Sequence, residues 1–428
     1  MTRSTLARGI GLALLLSVLN CLQVPAEPIP RSINEIVALA LKHNAELAAL
    51  ENEATAKQSL AIQAGTISNP TLEFQGVTGT LTGSPEERSF SIGVNQEFPL
   101  NGKLRMRREA GQREADVVQR QRDNTARLLK DEVATLTLEL ILADKRRELA
   151  AGQVTLNQEL VRITDERFKA GDIPELELNL AKVELSRAES RLLEIERERI
   201  PLRIKIASLA GLKEDDLNVP DKFTTTKQTG NTPELIKKSL ASRPDLLALL
   251  RECDKAETEM RLAGAEEIPN LTAGLFVQWQ RGSTEVGGMS STSSDTQLGL
   301  RLSMPIPLFA RNQGARAAAK ARMGAAGSRR LALERSIIAE VDAAVFRLSS
   351  SEKILEQFEK GIIPQLIENL KLTQEAYRIG EVGILSVIDE QKKFFEVNEG
   401  YLSALHGRRV AFIKLETAVA TDLTGGVQ

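Results

Sequence analysis

A chain of 428 residues has room for a large core or for more than one domain. Its 56 Lys and Arg against 58 Asp and Glu leave a net charge of −2, which gives no electrostatic reason to expect nucleic acid as a partner. Ala, Leu and straight-chain polar residues dominate, as in long helices, and two His with two Cys leave little material for a metal or thiol site.

The first element is a targeting segment. Arg3 and Arg8 flank the start of "GIGLALLLSVL" at 9–19, an apolar run too short to span a bilayer comfortably. Two endings fit. "VPA" at 24–26 offers cleavage after Ala26, making 1–26 a signal peptide. Cys21 offers a lipoprotein ending instead, although Asn20 is a poor fit where a small residue is wanted. Ordinary cleavage is expected, and either ending takes the mature chain out of the cytoplasm. After cleavage only Cys253 remains, so no internal disulfide can form. No later segment is apolar enough for a transmembrane helix.

Residues 27–210 read as a helix near 32–66, strands at 70–78 and 89–98, a long helix from about 104 to 168, a break, and a helix at 174–210. At 1.5 Å per residue the long helix would measure on the order of 100 Å. A polar, turn-rich linker follows at 211–232. Residues 233–420 then repeat the layout: a helix, strands at 271–280 and 296–305, a long helix at 315–377, a break, and a helix at 384–420, with a tail at 421–428. The repetition extends to single residues. Pro70 falls on Pro269, Gly93 on Gly299, Gly152 on Gly361, and Gly171 on Gly380, with the offset widening as loop insertions would make it. An internal two-fold structural repeat is therefore expected.

The long helices carry apolar seams with steps of four and three. Leu129, Val133, Leu136, Leu140 and Ala143 form one, and Leu138, Leu142, Leu149, Leu156, Leu160 and Ile163 a second on the same helix. Ile337, Val341, Ala344, Leu348, Leu355, Phe358 and Ile362 form the seam of the other half. Two seams on one helix mean neighbours on both sides, as in a bundle or a closed wall of helices.

The strands alternate. Phe90, Ile92 and Val94 oppose Ser91, Gly93 and Asn95, and Leu298, Leu300 and Leu302 oppose Gly299, Arg301 and Ser303. Strands of nine or ten residues with one apolar face can cross a membrane when tilted, which makes Phe90, Ile92, Val94, Leu298, Leu300 and Leu302 the candidate lipid-facing positions. A soluble sandwich with one wet face is the alternative. Four strands are too few for a membrane barrel, and open edges cannot be left in lipid, so a spanning sheet requires several chains to share one barrel.

The motifs "SNPTLEF", "QEFPLNGK", "MPIPLFARNQG" and "YRIGEVGILSVIDEQ", in this order and spacing, resemble the TolC-type outer membrane efflux proteins over nearly the full mature length, and among them the CzcC-like heavy-metal branch. The resemblance implies a mixed α/β membrane protein of the outer membrane. Its homotrimer would share a twelve-stranded β-barrel set in outer-membrane lipid, with four strands from each chain. The barrel would sit above a long α-helical barrel, or coiled-coil tunnel, in the periplasm. It further implies a periplasmic adaptor and an inner-membrane pump of the RND type as partners. Helices near 32–66 and 174–210 would stack end to end to match one long rod.

On that resemblance the two breaks are the helix turns at the periplasmic tip. Gly171 and Gly380 suit left-handed helix caps, and Pro174 and Gly383 suit the reversals. Acidic side chains after the second break narrow the lumen in the family. Asp389 matches one such position, while Ser386 departs at the other and Val382 departs at a basic latch position. Glu177 matches a lumen or latch position after the first break. A solvated helix face is the competing reading for Asp389 and Glu177.

No catalytic constellation, nucleotide fingerprint, cofactor motif or metal-ligand spacing is present. His43 and His406 lie far apart in helical patterns, and Cys253 has no partners. The metal-efflux expectation rests on the resemblance alone. A duct for drugs, small organics or secreted polypeptides is the alternative within the class. A periplasmic coiled-coil scaffold or adaptor is the alternative outside it, and an enzyme is the least supported.

Overall fold

The computed structural model describes residues 32–82, 84–219, 231–287 and 289–423. The expected signal peptide, half of the 211–232 linker and most of the tail lie outside these residues.

The chain opens with α1 (Ile33–His43), started by a capping box in which Ser32 and Glu35 satisfy each other's backbone N–H. The single helix expected near 32–66 is in fact two, because the chain breaks at Asn44. This residue is extended (φ −71°, ψ 117°), and its side chain accepts the Leu47 N–H at 3.0 Å to start α2 (Ala45–Ala64). An Asn is worth more as a cap than inside a helix. The second half breaks at the matching place: α5 (Thr232–Ser242) ends at Arg243, which Pro244 holds out of the helical region, and α6 (Pro244–Ala265) follows.

Strands β1 (Thr71–Gly79) and β2 (Ser84–Phe98) precede α3 (Lys103–Ala170) and α4 (Glu175–Ala210). Strands β3 (Leu271–Val286) and β4 (Met289–Ser303) precede α7 (Gln313–Gln357), α8 (Ile363–Arg378) and α9 (Ile384–Val419). Thus α1 and α5 each have 11 residues, and α4 and α9 each have 36.

The rod expected at 315–377 is interrupted by a π-helical turn, Phe358–Ile362, where the Ile363 N–H reaches back to the Phe358 carbonyl. Gly361 loosens the turn, and Pro364 beyond it has no N–H to restore the α-helical ladder. The turn rotates the helix face. Ile362, expected in the seam, is exposed, while Leu366, Leu370 and Tyr377 carry the burial onward.

The helices stand as four columns. α2 and α4 lie against successive parts of α3, α6 and α9 against its other side, and α7 and α8 against α6 and α9. Ion pairs fix the register: Lys57 to Glu114 between α2 and α3, Lys205 to Glu132 between α4 and α3, Lys414 to Asp131 between α9 and α3. The end-to-end meeting expected of the helices near 32–66 and 174–210 falls at the α1–α2 break, where His43 Nδ1 lies 3.1 Å from the Ala210 carbonyl oxygen that ends α4. The two matching junctions are unlike in chemistry. At the second, Ser242 and Ser239 donate to the Val419 and Ala418 carbonyls, and the buried Arg243 pairs with Asp245 and Glu340. One apolar core, around Ile36, Val133, Leu138, Leu140 and Ile206, surrounds the first junction. Another, around Leu235, Val341, Leu348, Phe412 and Leu415, surrounds the second.

The strands form one antiparallel sheet in the order β1-β2-β3-β4. β2 and β4 are longer than the sequence pattern suggests, and β3 runs past 280. Their added ends are rich in Ser, Thr and Glu, so alternation gives no signal there, yet the ladder holds them, as in Ser283↔Thr292 and Glu285↔Ser290. Register gathers the apolar residues on one face: Ile92 lies opposite Val277 and Val277 opposite Leu298, while Val94 lies opposite Leu275 and Leu275 opposite Leu300. Leu302 lies opposite Ala273, and Phe90 stacks on Trp279 at 5.8 Å. On the other face Glu73 accepts from Asn95 and Arg301, and the Arg301 guanidinium lies over the Phe276 ring. Phe276 covers Gly299, where a Cβ would meet its ring at 2.3 Å, so any side chain there would have to displace the ring.

Candidate functional site: the paired helix turns

Two helix ends and two helix starts make the turns. At the first, Gly171 takes φ +81°, its N–H donates to Phe168 O at 3.0 Å, and the Asp172 N–H reaches Arg167 O at 2.9 Å. At the second, Gly380 takes φ +85°, donating to Tyr377 O at 3.0 Å, and the Glu381 N–H reaches Ala376 O at 2.9 Å. Both are glycine-capped helix ends in which a left-handed residue satisfies the last carbonyls. Pro174 and Gly383, both extended, are the N-caps of α4 and α9. Glu175 and Glu177 sit in the first turn of α4, where the helix dipole favours acid, whereas the first turn of α9 has none.

The side chains differ more than the backbone. Tyr377 is 2% exposed and joins Leu160, Ala181, Ile384, Val387 and Ile388 in a small apolar core. The Arg167 guanidinium lies 4.9 Å over its ring and donates to its carbonyl at 3.2 Å. The Tyr377 hydroxyl is 3.5 Å from Thr164 Oγ1, which itself donates to Leu160 O. The matching residue, Phe168, is 37% exposed.

Ser386 and Asp389 share an exposed face of α9. Asp389 is paired: Lys393, one turn on, places Nζ 2.7 Å from Asp389 Oδ2 and 3.7 Å from Glu390 Oε2. The hydrogen bond that Lys393 donates to the Asp389 carboxylate, with the attraction of that charge, raises the Lys393 pKa above its ordinary value, so the cation is firm at neutral pH. Glu177 lies on α4, which Lys392–Glu184 and Arg191–Glu399 tie to α9, but no hydrogen bond or ion pair among the described residues joins Glu177 itself to Asp389 or Ser386. It is half-buried, and its Oε2 is shielded without a hydrogen-bond partner. Sequence reasoning missed Lys393, Arg167 and the burial of Tyr377. Lys393 was findable as the i+4 base after an acid; the Arg167 contact joins residues far apart in the chain and had no local signal.

Among the described residues no group of three or more His, Cys, Asp or Glu is arranged to hold a metal ion. His43 packs at the helix junction, and burial with the nearby Arg146 charge lowers the His406 pKa, so both read as packing residues. Cys253 is half-buried on α6. No described helix is long and apolar enough to cross a membrane.

A family model described as "Outer membrane efflux protein" matches residues 36–212 and again 235–421. The chain is 22% identical to the cobalt-zinc-cadmium resistance protein CzcC of Cupriavidus metallidurans, over 88% of this chain and 87% of that protein. It is 21% identical to the pyoverdine export outer membrane protein OpmQ of Pseudomonas putida, over 86% of this chain and 81% of that one. Among solved structures CusC superposes with a TM-score of 0.74 at 18% identity, over 91% of this chain and 92% of CusC.

Proposed function

Because the chain belongs to the outer membrane efflux protein family, whose members are channels and not enzymes, we propose that three copies of it form one export duct. The protein resides in the outer membrane, with its helical tunnel in the periplasm. The observation that carries a barrel shared between copies is the pair of open edges, and the count of three follows the family likeness. β1 and β4 each lack a neighbour in the described sheet, while its apolar face is exposed. Unpaired backbone cannot remain in lipid, and four strands cannot close a barrel, so β4 of one copy joins β1 of the next. Three copies give about twelve strands, within the range of membrane barrels.

The helices support the same closure. Large exposed apolar residues concentrate on the two outer columns: Val183, Leu193 and Ile204 on α4, and Leu331, Phe346 and Leu372 on α7 and α8. The flanked column α3 has few. On this reading Phe90, Ile92, Val94, Leu298, Leu300 and Leu302 face lipid, and Arg301 and Glu73 face the lumen. The two halves are structural repeats, and the turns at Gly171 and Gly380 form the periplasmic tip. There Asp389 with Lys393, Ser386 and Glu177 line the constriction and an adaptor docks.

The likeness to CzcC favours metal cations as cargo, handed over by a periplasmic adaptor and an inner-membrane pump of the RND type. A conduit needs no metal site of its own. The likeness to OpmQ supports a second reading, export of small organic molecules. Family membership sets aside the scaffold or adaptor reading. Cysteines scanned along β1 and β4, in a Cys253→Ser background, should cross-link copies into a ladder ending at three. Monomers without cross-links would sink the trimer. A deletion strain regaining growth on zinc, cobalt or cadmium with this chain supports metal cargo; unchanged metal tolerance with lost tolerance to organics supports the second reading.

A further inference from the structure

Two connections lead from the sheet into long helices. β2 reaches α3 through residues 99–102, whereas β4 reaches α7 through the longer stretch 304–312, "MPIPLFARN". The ladder ends at Ser303, opposite Thr272, but the apolar row of β4 does not. Leu298, Leu300 and Leu302 are followed at the same two-residue step by Met304, Ile306 and Leu308, all exposed, and then by Phe309 at 91% exposure. The shorter connection follows Phe98, the last residue of β2, and has only the half-buried Leu100 as a large aliphatic side chain.

The backbone of this stretch makes fewer demands for water than an ordinary loop of its length. Pro305 and Pro307 have no N–H, and the Leu308 N–H donates to Ile306 O at 2.9 Å. Unpaired N–H groups are what keep irregular backbone out of an apolar phase, and three of those here are absent or satisfied. The far end is held in place. Asn312 donates to the Ala263 carbonyl at the end of α6 at 2.9 Å, the Arg311 N–H reaches Gln313 Oε1, and the Arg311 side chain is exposed.

We propose that residues 304–309 are a membrane-interface anchor. They lay Ile306, Leu308 and Phe309 into the periplasmic-side headgroup and acyl boundary of the outer membrane, with Arg311 reaching the lipid phosphates. The occupant is a phospholipid surface because the row is continuous with the apolar face of the sheet. The inference rests on that face being the bilayer-spanning one. Three copies would carry three anchors below the barrel, spaced around it.

Trp279 is the single tryptophan of the chain and lies on the apolar face, so it reports on the sheet itself. Phe309→Trp and, separately, Ile306→Trp are made in a Trp279→Phe background, and all three proteins are reconstituted into phosphatidylcholine vesicles. The lipids carry bromine either near the head of the acyl chain or near its middle. Emission from Phe309→Trp and Ile306→Trp should be blue-shifted and lose most of its intensity with shallow bromine, and less with deep bromine. Quenching of Trp279 with none for either variant overturns the anchor and leaves the duct standing. Acrylamide quenching of the variants would then place the stretch in water, and its absence would place it under a neighbouring copy. No bromine quenching of Trp279 or the variants would sink the spanning sheet and the anchor together.

Discussion

The first and second helix turns have nearly one backbone and two different surroundings. Gly171 and Gly380 hold φ within a few degrees of each other, with the same pair of capping hydrogen bonds. Yet Tyr377 is sealed against α3, under Arg167, while Phe168 is open. The difference follows from column order. The second turn joins α8 to α9, and α9 has α3 beside it in the same chain. The first turn joins α3 to α4, an outer column that meets α3 and, through Lys392–Glu184 and Arg191–Glu399, α9, but has no further column of its own chain beyond it. In the proposed trimer the next copy's α8 would supply it, but the repeat partner of Arg167 is Ala376, so that contact would have no cation to clasp the ring. In the proposed trimer the duplicated turn would give one firm joint within each chain and one looser joint between chains, and the looser joint is where a tunnel tip would open without unfolding.

The largest test of this contrast is truncation of the two rings. Tyr377→Ala removes a buried aromatic and should cost about 3–5 kcal/mol locally. Phe168→Ala, on the open turn, should change stability by no more than about 0.5 kcal/mol. Hydrogen exchange of residues 377–388 and 168–178 in the detergent-solubilised protein reads both. Equal loss of protection would mean that a neighbouring copy buries Phe168 as deeply as the chain buries Tyr377.

The glycine caps should not distinguish the turns. A Cβ at Gly171 meets nothing within 4 Å, and one at Gly380 comes no closer than 3.8 Å to Arg167. Only the left-handed backbone then resists, so Gly171→Ala and Gly380→Ala should each cost about 1–2 kcal/mol. Unequal shifts in exchange at the two turns would show that the asymmetry reaches the backbone.

What could be read from the sequence was local. Gly171, Gly380 and the alternation through Leu298, Leu300 and Leu302 follow from one residue's freedom or from a period of two, and neither needs knowledge of neighbours. The break at Asn44 was missed because apolar spacing continues across it and only the cap reveals it. The π turn at 358–362 was missed because the heptad steps run through Phe358 to Ile362 without interruption. The split between Phe168 and Tyr377 had no local sign at all. Two aligned aromatics before two aligned glycines read alike, and only the order of columns decides which is covered. At the candidate site, Asp389, Ser386 and Glu177 were reached through family likeness, and the likeness did not carry Lys393.

A smaller effect is expected from the clasp itself. Arg167→Gln removes the cation over Tyr377 and its hydrogen bond to the Tyr377 carbonyl, and keeps the helix. A partly exposed cation–π contact contributes about 0.5–1 kcal/mol. The second turn should then open more often, seen as a higher open fraction in single-channel recordings. The control is Arg162→Gln, five residues earlier, where the side chain pairs, among the described residues, with Glu159 and Glu166 on its own helix. Equal effects of the two would mean that loss of charge, not of the clasp, is being measured.

The least effect on stability, and the most informative on conduction, comes from Asp389 and Lys393. Both are exposed and one helical turn apart, so their pairing is screened by salt and the helix does not depend on it. At a three-fold tip each residue becomes a ring of three, and the two rings cancel while both are charged. Asp389→Asn leaves Lys393 with only the more distant Glu390 and should shift the reversal potential in asymmetric potassium chloride toward anion selectivity. Lys393→Gln frees the carboxylates and should shift it toward cations, with block by a trivalent cation added from the periplasmic side. Ser386, one turn before, adds no charge to either ring. The opposite signs matter more than their size, because a general change in pore width would move both variants the same way. If neither variant moves the potential and Glu177→Gln does, the constriction belongs to the first turn, and the joint between chains rather than the joint within them sets what passes.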